Sequence, residues 1–169
     1  MERVIMLGDS LIDWNYNSPY ENYGKNGYRS RDVFWLLEEN SNITGDIGIL
    51  LVGVNDFFTN MDFEKSQEYY MKIVVELKKR VKRVILLSLL PTDRKYKNEK
   101  VKLFNSWIKQ SYPKEYLELY SFFCDEYNEM KRGYTTDGTH LNHEGYKLFN
   151  KILDEEVMKI KKLYKENNL

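Results

Sequence analysis

The fold is decided by residues 4–11, which read VIMLGDSL. The first four side chains are apolar without a break, and such a run is typical of a strand covered on both faces, as in a parallel sheet. A glycine, an aspartate and a serine follow directly. Because ligands of open α/β sheets bind just beyond the carboxyl ends of the strands, this segment predicts both a buried strand and one side of a binding site.

Further apolar runs predict the rest of the sheet. Residues 47–52 and 84–90 are strongly apolar, and residues 116–123 form a weaker run. Helical periodicity separates the runs, and the segments that show it are residues 33–37, 63–81, 103–108 and 142–160. Asn142 is the expected cap of the last of these helices. The alternation of strand and helix predicts an α/β layer sandwich with a parallel sheet, in a single domain over residues 1–169.

Composition narrows the classes of function. The chain has 169 residues, and its 26 basic and 26 acidic side chains cancel, so we expect no nucleic acid as a main partner. No stretch approaches the roughly 18 apolar residues of a membrane span, and the start lacks the features of a signal peptide, so we expect a cytoplasmic protein that does not bind membranes. The single cysteine, Cys124, has no partner for an intramolecular disulfide. The oligomeric state stays open.

Two more polar segments are expected at the same edge of the sheet. Residues 53–56 read GVND and follow the second apolar run, while residues 137–142 read DGTHLN and precede the last helix. The carboxyl ends of parallel strands meet at one edge. A serine hydroxyl, an asparagine amide and an Asp-x-x-His pair are therefore expected to face one another there.

These groups fit the roles of acyl transfer. The hydroxyl of Ser10 becomes a nucleophile when a neighbouring base takes its proton, and the imidazole of His140 is the candidate base. Asp137 lies three residues earlier in a glycine-containing turn and can hold the Nδ1–H of the ring, which fixes its tautomer. The N–H of Ser10, the N–H of a glycine and the amide of Asn55 can stabilise the charge that develops on the carbonyl oxygen.

Four blocks in this order resemble the four sequence blocks of the GDSL, or SGNH, hydrolases. The blocks are residues 8–11 (GDSL), 22–27 (NYGKNG), 53–56 (GVND) and 137–140 (DGTH), and the resemblance extends from Val4 to about Tyr146. It implies a three-layer α/β/α flavodoxin-like sandwich. It also implies hydrolysis of small-molecule esters or thioesters without a metal or another cofactor.

Carried over by position, the resemblance assigns the site residues. It implies that Ser10 is the nucleophile, His140 the general base and Asp137 the residue that orients the base. It also implies that Gly27 and Asn55 are oxyanion donors together with the N–H of Ser10. His140 and His143 have no third ligand of suitable type nearby, so no metal site is expected.

One region departs from the family pattern. Residues 11–21 are short and polar and contain no apolar run, where the family usually has a helix and a second strand. We therefore expect a sheet of four strands, or of five, that is reduced near the second strand. Because of this departure, the sequence leaves two candidates for the oxyanion glycine. Gly27 matches the family block by its separation of five from Asn22, and Gly24 is the alternative.

Ordinary structural roles compete with several of these assignments. Ser10 can cap a helix, and Asn55 can be a turn residue. Asp9 is expected to brace its loop by accepting backbone N–H bonds, and His143 to face solvent or brace the start of the last helix. Aromatic residues crowd the polar segment and its flank, either as surface residues or as a wall for a sugar ring or a short acyl chain; they are Trp14, Tyr16, Tyr20, Tyr23 and Tyr28.

Three functions remain open from the sequence. The first is an esterase for small acyl groups, including acetyl groups on carbohydrates, because the reduced second strand predicts a shallow site. The second is a thioesterase with the same residues. The third is a non-catalytic α/β module that binds a small ligand, although no G-x-G-x-x-G or P-loop pattern follows any predicted strand.

Overall fold

Five parallel strands form the sheet at the centre of the computed structural model, which describes residues 3–167. The strands are β1 (Val4–Gly8), β2 (Glu21–Asn22), β3 (Ile47–Leu51), β4 (Arg83–Leu87) and β5 (Tyr116–Leu117). Their order across the sheet is β2-β1-β3-β4-β5. Every residue of β1 and β3 is buried, as their uninterrupted hydrophobicity predicts.

Helices flank the sheet and complete the predicted α/β/α fold. They are α1 (Ser10–Asp13), α2 (Ser30–Glu39), α3 (Val54–Phe58), α4 (Phe63–Arg80), α5 (Lys95–Ser111), α6 (Tyr120–Phe123) and α7 (His143–Asn167), with a 3₁₀ turn over Arg132–Tyr134. The predicted cap of α7 is confirmed, because the Asn142 side chain accepts a hydrogen bond from the N–H of Gly145 at 2.9 Å. Within residues 3–167, no helix combines the length and the apolar character needed to cross a membrane.

The second strand exists, although it is only two residues long. β2 pairs with β1 through Ile5 opposite Glu21 and Met6 opposite Asn22. Both residues of β2 are exposed, so the strand carries no apolar pattern that sequence reasoning could detect. The sheet thus has five strands, and it is reduced at the position where the sequence predicts a reduction.

Polar contacts hold the segment before β2 against α7. The side-chain amides of Asn15 and Asn150 exchange two hydrogen bonds, at 2.7 and 2.9 Å. The hydroxyl of Tyr20 donates to Asp154 at 2.6 Å, and that of Tyr146 donates to the carbonyl oxygen of Leu11 at 2.9 Å. These contacts fix residues 11–20 against α7.

The strand predicted over residues 116–123 is wrong beyond its first two residues. The buried hydroxyl of Ser88 accepts the N–H groups of both Leu119 and Tyr120, each at 2.8 Å. This contact turns the chain away from the sheet and into α6. The end of the run over residues 84–90 leaves the sheet as well, because the amide of Asn105 exchanges hydrogen bonds with the backbone of Leu89.

A buried hydroxyl in α4 gives a test of the packing. Tyr70 is fully buried, its ring packs edge-on against Phe104, and its hydroxyl has no hydrogen-bond partner within residues 3–167. An unpaired buried polar group destabilises the folded state, so we expect Tyr70→Phe to raise the free energy of unfolding by about 1 kcal/mol in urea titrations. Tyr120→Phe is the matched control, since the Tyr120 hydroxyl donates to Asn128 at 2.6 Å and its removal should lower stability. A loss of stability in Tyr70→Phe would contradict this account.

Candidate active site

Three chain segments bring the predicted residues to one edge of the sheet. Ser10 begins α1 directly after β1, and Asn55 lies in α3 directly after β3. Asp137 and His140 lie in the turn that precedes α7. The first two segments are adjacent because β1 and β3 pair in parallel with Gly8 opposite Leu51.

The side chains of the third segment reach the serine. His140 Nε2 lies 3.0 Å from Ser10 Oγ, and His140 Nδ1 lies 2.6 Å from Asp137 Oδ2. Since an ionised carboxylate can only accept hydrogen bonds, Nδ1 carries the proton and Nε2 is left to accept from the hydroxyl. The structure therefore brings Ser10, His140 and Asp137 together as a hydrogen-bonded series, as predicted from the sequence.

Backbone contacts set the orientation of Asp137. Its Oδ1 accepts the N–H groups of Thr139 at 2.9 Å and His140 at 2.7 Å, which leaves Oδ2 directed at the imidazole. The Thr135 hydroxyl closes the same turn by accepting the N–H of Gly138 and donating to the carbonyl oxygen of His140. A spacing of three residues suits this arrangement because the turn lets one carboxylate bond both the backbone and the ring of His140.

The carboxyl of Asp137 is charged at neutral pH. Burial acts to raise its pKa, but the hydrogen bonds from the backbone and ring of His140 and from the N–H of Thr139 outweigh burial and lower the pKa to about 2. The carboxylate holds the Nδ1–H of His140 at 2.6 Å, where it can stabilise an imidazolium that forms during proton transfer. That is the electrostatic arrangement that a general base requires when it takes a proton from a hydroxyl.

Trp14 packs on the imidazole and does not line a substrate wall. The centroids of the Trp14 and His140 rings are 4.2 Å apart, with an angle of 34° between the ring planes. Tyr16 is 81% exposed, and the hydroxyl of Tyr20 is bound to Asp154. None of these three side chains belongs to the lining of the cavity beside Ser10. The contact between Trp14 and His140 joins residues 126 positions apart, and no local pattern indicates it.

A cavity of about 320 Å³ opens beside the serine. The residues of its lining that matter for the chemistry are Ser10, Gly27, Asn55, Phe58, Arg94 and His140. This volume is at the small end of ligand pockets in proteins.

The structure places the two candidates for the oxyanion glycine in different surroundings. Gly27 lines the cavity with φ of +79°, and a Cβ added there would meet nothing within 4 Å. Gly24 packs under α1 instead, where an added Cβ would lie 2.4 Å from the backbone nitrogen of Asp13. The backbone at Gly27 is thus the one beside the serine.

Ser10 and Asn55, which also carry N–H donors, line the same cavity. Ser10 is the first residue of α1, where backbone N–H groups have no partner within the helix. The Asn55 amide lines the cavity and donates to the carbonyl oxygen of Tyr28 at 3.0 Å, which fixes its plane. The second hydrogen of this amide is not needed for that contact.

Two buried carboxyls, those of Asp9 and Asp56, are adjacent in sequence to Ser10 and Asn55. Asp9 Oδ1 accepts the N–H of Leu11 at 3.0 Å and caps α1, which agrees with the bracing role expected for it. Asp56 accepts both the N–H and the hydroxyl of Ser30, so it joins α3 to the start of α2. Sequence reasoning missed the role of Asp56, because its partner is 26 residues away.

No group of three His, Cys, Asp or Glu side chains that could hold a metal ion occurs within residues 3–167. His143 begins α7 and is exposed.

Fold and site together define the class of protein. A five-stranded parallel sheet between helical layers, with the polar residues of the GDSL blocks at its carboxyl edge, is the fold of the GDSL, or SGNH, hydrolases. The chain belongs to the GDSL-like lipase/acylhydrolase family, whose model matches residues 6–148. The description of this family refers to lipases and acylhydrolases, which are hydrolases of acyl bonds.

Solved structures share the fold at low sequence identity. A GDSL-like lipase from Bacteroides thetaiotaomicron is 19% identical with a TM-score of 0.85, and the alignment covers 94% of this chain and 88% of the lipase. A catalytic mutant of an acetylxylan esterase from Geobacillus stearothermophilus is 13% identical with a TM-score of 0.72, covering 92% of this chain and 93% of the esterase.

A curated relative is longer than this chain. It is an N-acylneuraminate cytidylyltransferase from Escherichia coli that is 25% identical over 175 residues, and the match covers 94% of this chain. The chain spans 40% of the length of that relative.

The buried Asp9 predicts a pH-dependent stability. Burial raises the pKa of Asp9 from 3.8 to about 7, so the folded state holds this proton more tightly than the unfolded chain does. The stability that Asp9 contributes is thus complete below about pH 4 and is lost as the pH rises to about 7. Asp9→Asn keeps the acceptor for the N–H of Leu11 but cannot ionise. We expect the melting temperature of wild type, measured relative to this variant, to fall by several degrees between pH 4.5 and 8.

The exposed Asp62 provides the control, since Asp62→Asn removes a carboxyl that is not buried. The melting temperature of wild type relative to Asp62→Asn should change little over the same pH range. An equal pH dependence for both variants would contradict the assignment to Asp9.

Proposed function

We propose that the chain is a serine esterase that removes small acyl groups, such as acetyl, from small-molecule esters. The observation that carries the proposal is the hydrogen-bonded series of Ser10, His140 and Asp137 beside a cavity of about 320 Å³. The acetylxylan esterase with the same fold supports carbohydrate acetyl esters as the first substrates to test.

In the first step, Ser10 Oγ attacks the carbonyl carbon of the ester while His140 Nε2 takes the hydroxyl proton. The contact of 3.0 Å between these atoms is within the range for direct proton transfer. Asp137 keeps the ring in the required tautomer and stabilises the imidazolium that forms. Trp14 lies against the same ring and adds a cation–π contact in that state.

The tetrahedral intermediate places negative charge on the former carbonyl oxygen. We assign the N–H of Ser10, the N–H of Gly27 and the Nδ2 of Asn55 as its donors, since all three residues line the cavity. Gly24 is set aside for this role because it packs under α1. Collapse of the intermediate breaks the ester bond, and His140 returns the proton to the departing alcohol.

The second half of the reaction repeats the first with water. His140 takes a proton from the water, the resulting hydroxide attacks the acyl carbon, and the bond to Ser10 Oγ breaks as His140 returns the proton to it. The products are the free acid and the starting enzyme. Apart from the ester and one water molecule, these steps use only groups of the chain.

Replacement of the serine tests the mechanism. We expect Ser10→Ala to lower kcat for 4-nitrophenyl acetate by more than about 10⁴-fold, because no other hydroxyl can form the acyl-enzyme. A fluorophosphonate probe should label wild type and fail to label this variant. Ser111→Ala, at an exposed serine in α5, should match wild type in both assays. The alternative is a non-catalytic binding module. It would be supported if folded wild type hydrolyses neither a panel of oxygen esters nor acetyl-CoA and also fails to react with the probe.

Replacement of Asn55 tests the oxyanion donors. Asn55→Ala should lower kcat by about 10²–10³-fold with a much smaller effect on KM, because the amide acts mainly in the transition state. The matched control is Asn40→Ala, which also removes an amide-to-carbonyl hydrogen bond, of 2.8 Å to Leu36, but lies at the end of α2. Equal kcat values for the two variants, with equal melting temperatures, would remove Asn55 from the mechanism.

A further inference from the structure

The candidate cavity carries a cation that the proposed chemistry does not use. Arg94 lines the cavity at the start of α5, and its guanidinium carbon lies 5.1 Å from the centroid of the Phe58 ring. The backbone N–H of Arg94 donates to the Thr92 hydroxyl at 3.1 Å. Stacking on an aromatic ring leaves the edge of the guanidinium, with its N–H donors, free to bind another group.

No carboxylate within residues 3–167 forms an ion pair with Arg94. Asp93 is next to it in sequence, but its carboxyl packs against Gly138, where an added Cβ would lie 2.3 Å from the Asp93 Cγ. Asp137 lines the cavity, but its carboxylate is bound to His140. Asp9 is buried and caps α1.

The other basic residue near Phe58 has a different task. The ammonium of Lys97 lies 5.9 Å from the Phe58 ring and donates to the carbonyl oxygen of Phe57 at 2.7 Å. Lys97 therefore holds the end of α3 that carries Phe58. Among the described residues that line the cavity, Arg94 is the one Lys or Arg. The amino-terminal end of the 17-residue helix α5 adds positive potential at the same place.

We propose that Arg94 makes the site selective for esters that carry a carboxylate or phosphate group. This inference rests on the proposed esterase function and names the class of its substrates. A planar guanidinium binds the oxygens of a carboxylate or phosphate through two parallel N–H bonds, a geometry that a neutral ester cannot match. Phe58 holds the guanidinium in place, which lowers the entropy lost when an anion binds.

Matched ester pairs measure the selectivity. One pair places the charge on the departing alcohol: 4-acetoxybenzoate against its neutral amide, 4-acetoxybenzamide. A second pair places it on the acyl part: phenyl hydrogen succinate against phenyl butanoate. In a third pair, 4-acetoxyphenyl phosphate is compared with 4-acetoxybenzamide. The difference between this pair and the first shows whether the site prefers a phosphate or a carboxylate. The quantity compared is the ratio of kcat/KM for the anionic ester to that for its neutral partner.

We expect Arg94→Gln to lower this ratio by about 3- to 30-fold in at least one pair, as the loss of a partly solvated charge-assisted contact predicts. Arg94→Lys should restore only part of the ratio, because an ammonium cannot bind two oxygens in parallel. Raising the NaCl concentration from 0.05 to 0.5 M should reduce the ratio of wild type more than that of Arg94→Gln.

The control variant is Arg83→Gln, which removes the same charge from the exposed first residue of β4, at the opposite edge of the sheet. Its ratios should equal those of wild type. Equal ratios in wild type and Arg94→Gln for every pair overturn the inference, and the esterase proposal stands if hydrolysis still depends on Ser10. If no ester is hydrolysed above the level of Ser10→Ala, both proposals fall.

Discussion

The parallel register of β1 on β3 is the constraint on which the site depends. Gly8 pairs with Leu51 at the end of the two strands, and the N–H of Asp9 donates to the carbonyl oxygen of Leu51 at 3.3 Å. A Cβ at Gly8 would lie 2.1 Å from that oxygen, so only glycine permits the approach. Both strands therefore end at the same level, and the helices that follow them present Ser10 and Asn55 to one cavity. A shift of one residue between the strands would separate the two side chains and direct one of them into the core.

A second set of contacts brings the far end of the chain to this edge. Tyr146 in α7 donates to the carbonyl oxygen of Leu11 in α1, and Asn150 in the same helix exchanges hydrogen bonds with Asn15. The start of α7 is thereby held against the segment that carries Ser10, and His140 reaches the serine across 130 residues of sequence.

The sequence predicts those parts of the structure in which a local pattern has one physical meaning. Uninterrupted apolar runs belong to strands with two covered faces, as in β1 and β3, and a side-chain acceptor before a periodic segment caps a helix, as Asn142 does. The blocks around Ser10 and His140 are recognisable because they resemble the GDSL blocks, and the structure brings their side chains together, while their roles in catalysis stay predictions. The chain leaves the sheet after β5 because of Ser88, which is 31 residues from its partner Leu119, and no local pattern could indicate it. The pairing of Asp56 with Ser30 and the packing of Trp14 on His140 are hidden for the same reason.

The charges around the cavity divide into two groups. The carboxylate of Asp137 stays ionised because backbone N–H groups and the imidazole bind it, and its Oδ2 is directed at the ring of His140. The carboxyl of Asp9 is buried at the start of α1, and burial raises its pKa, so below about pH 7 it adds little negative charge next to Ser10. In the cavity, the charge of Asp137 is thus bound by its partners and the carboxyl of Asp9 is largely protonated. The positive charge of Arg94 has no such partner among the described residues. Such a field favours a transition state that gains negative charge, and it favours a substrate that already carries one.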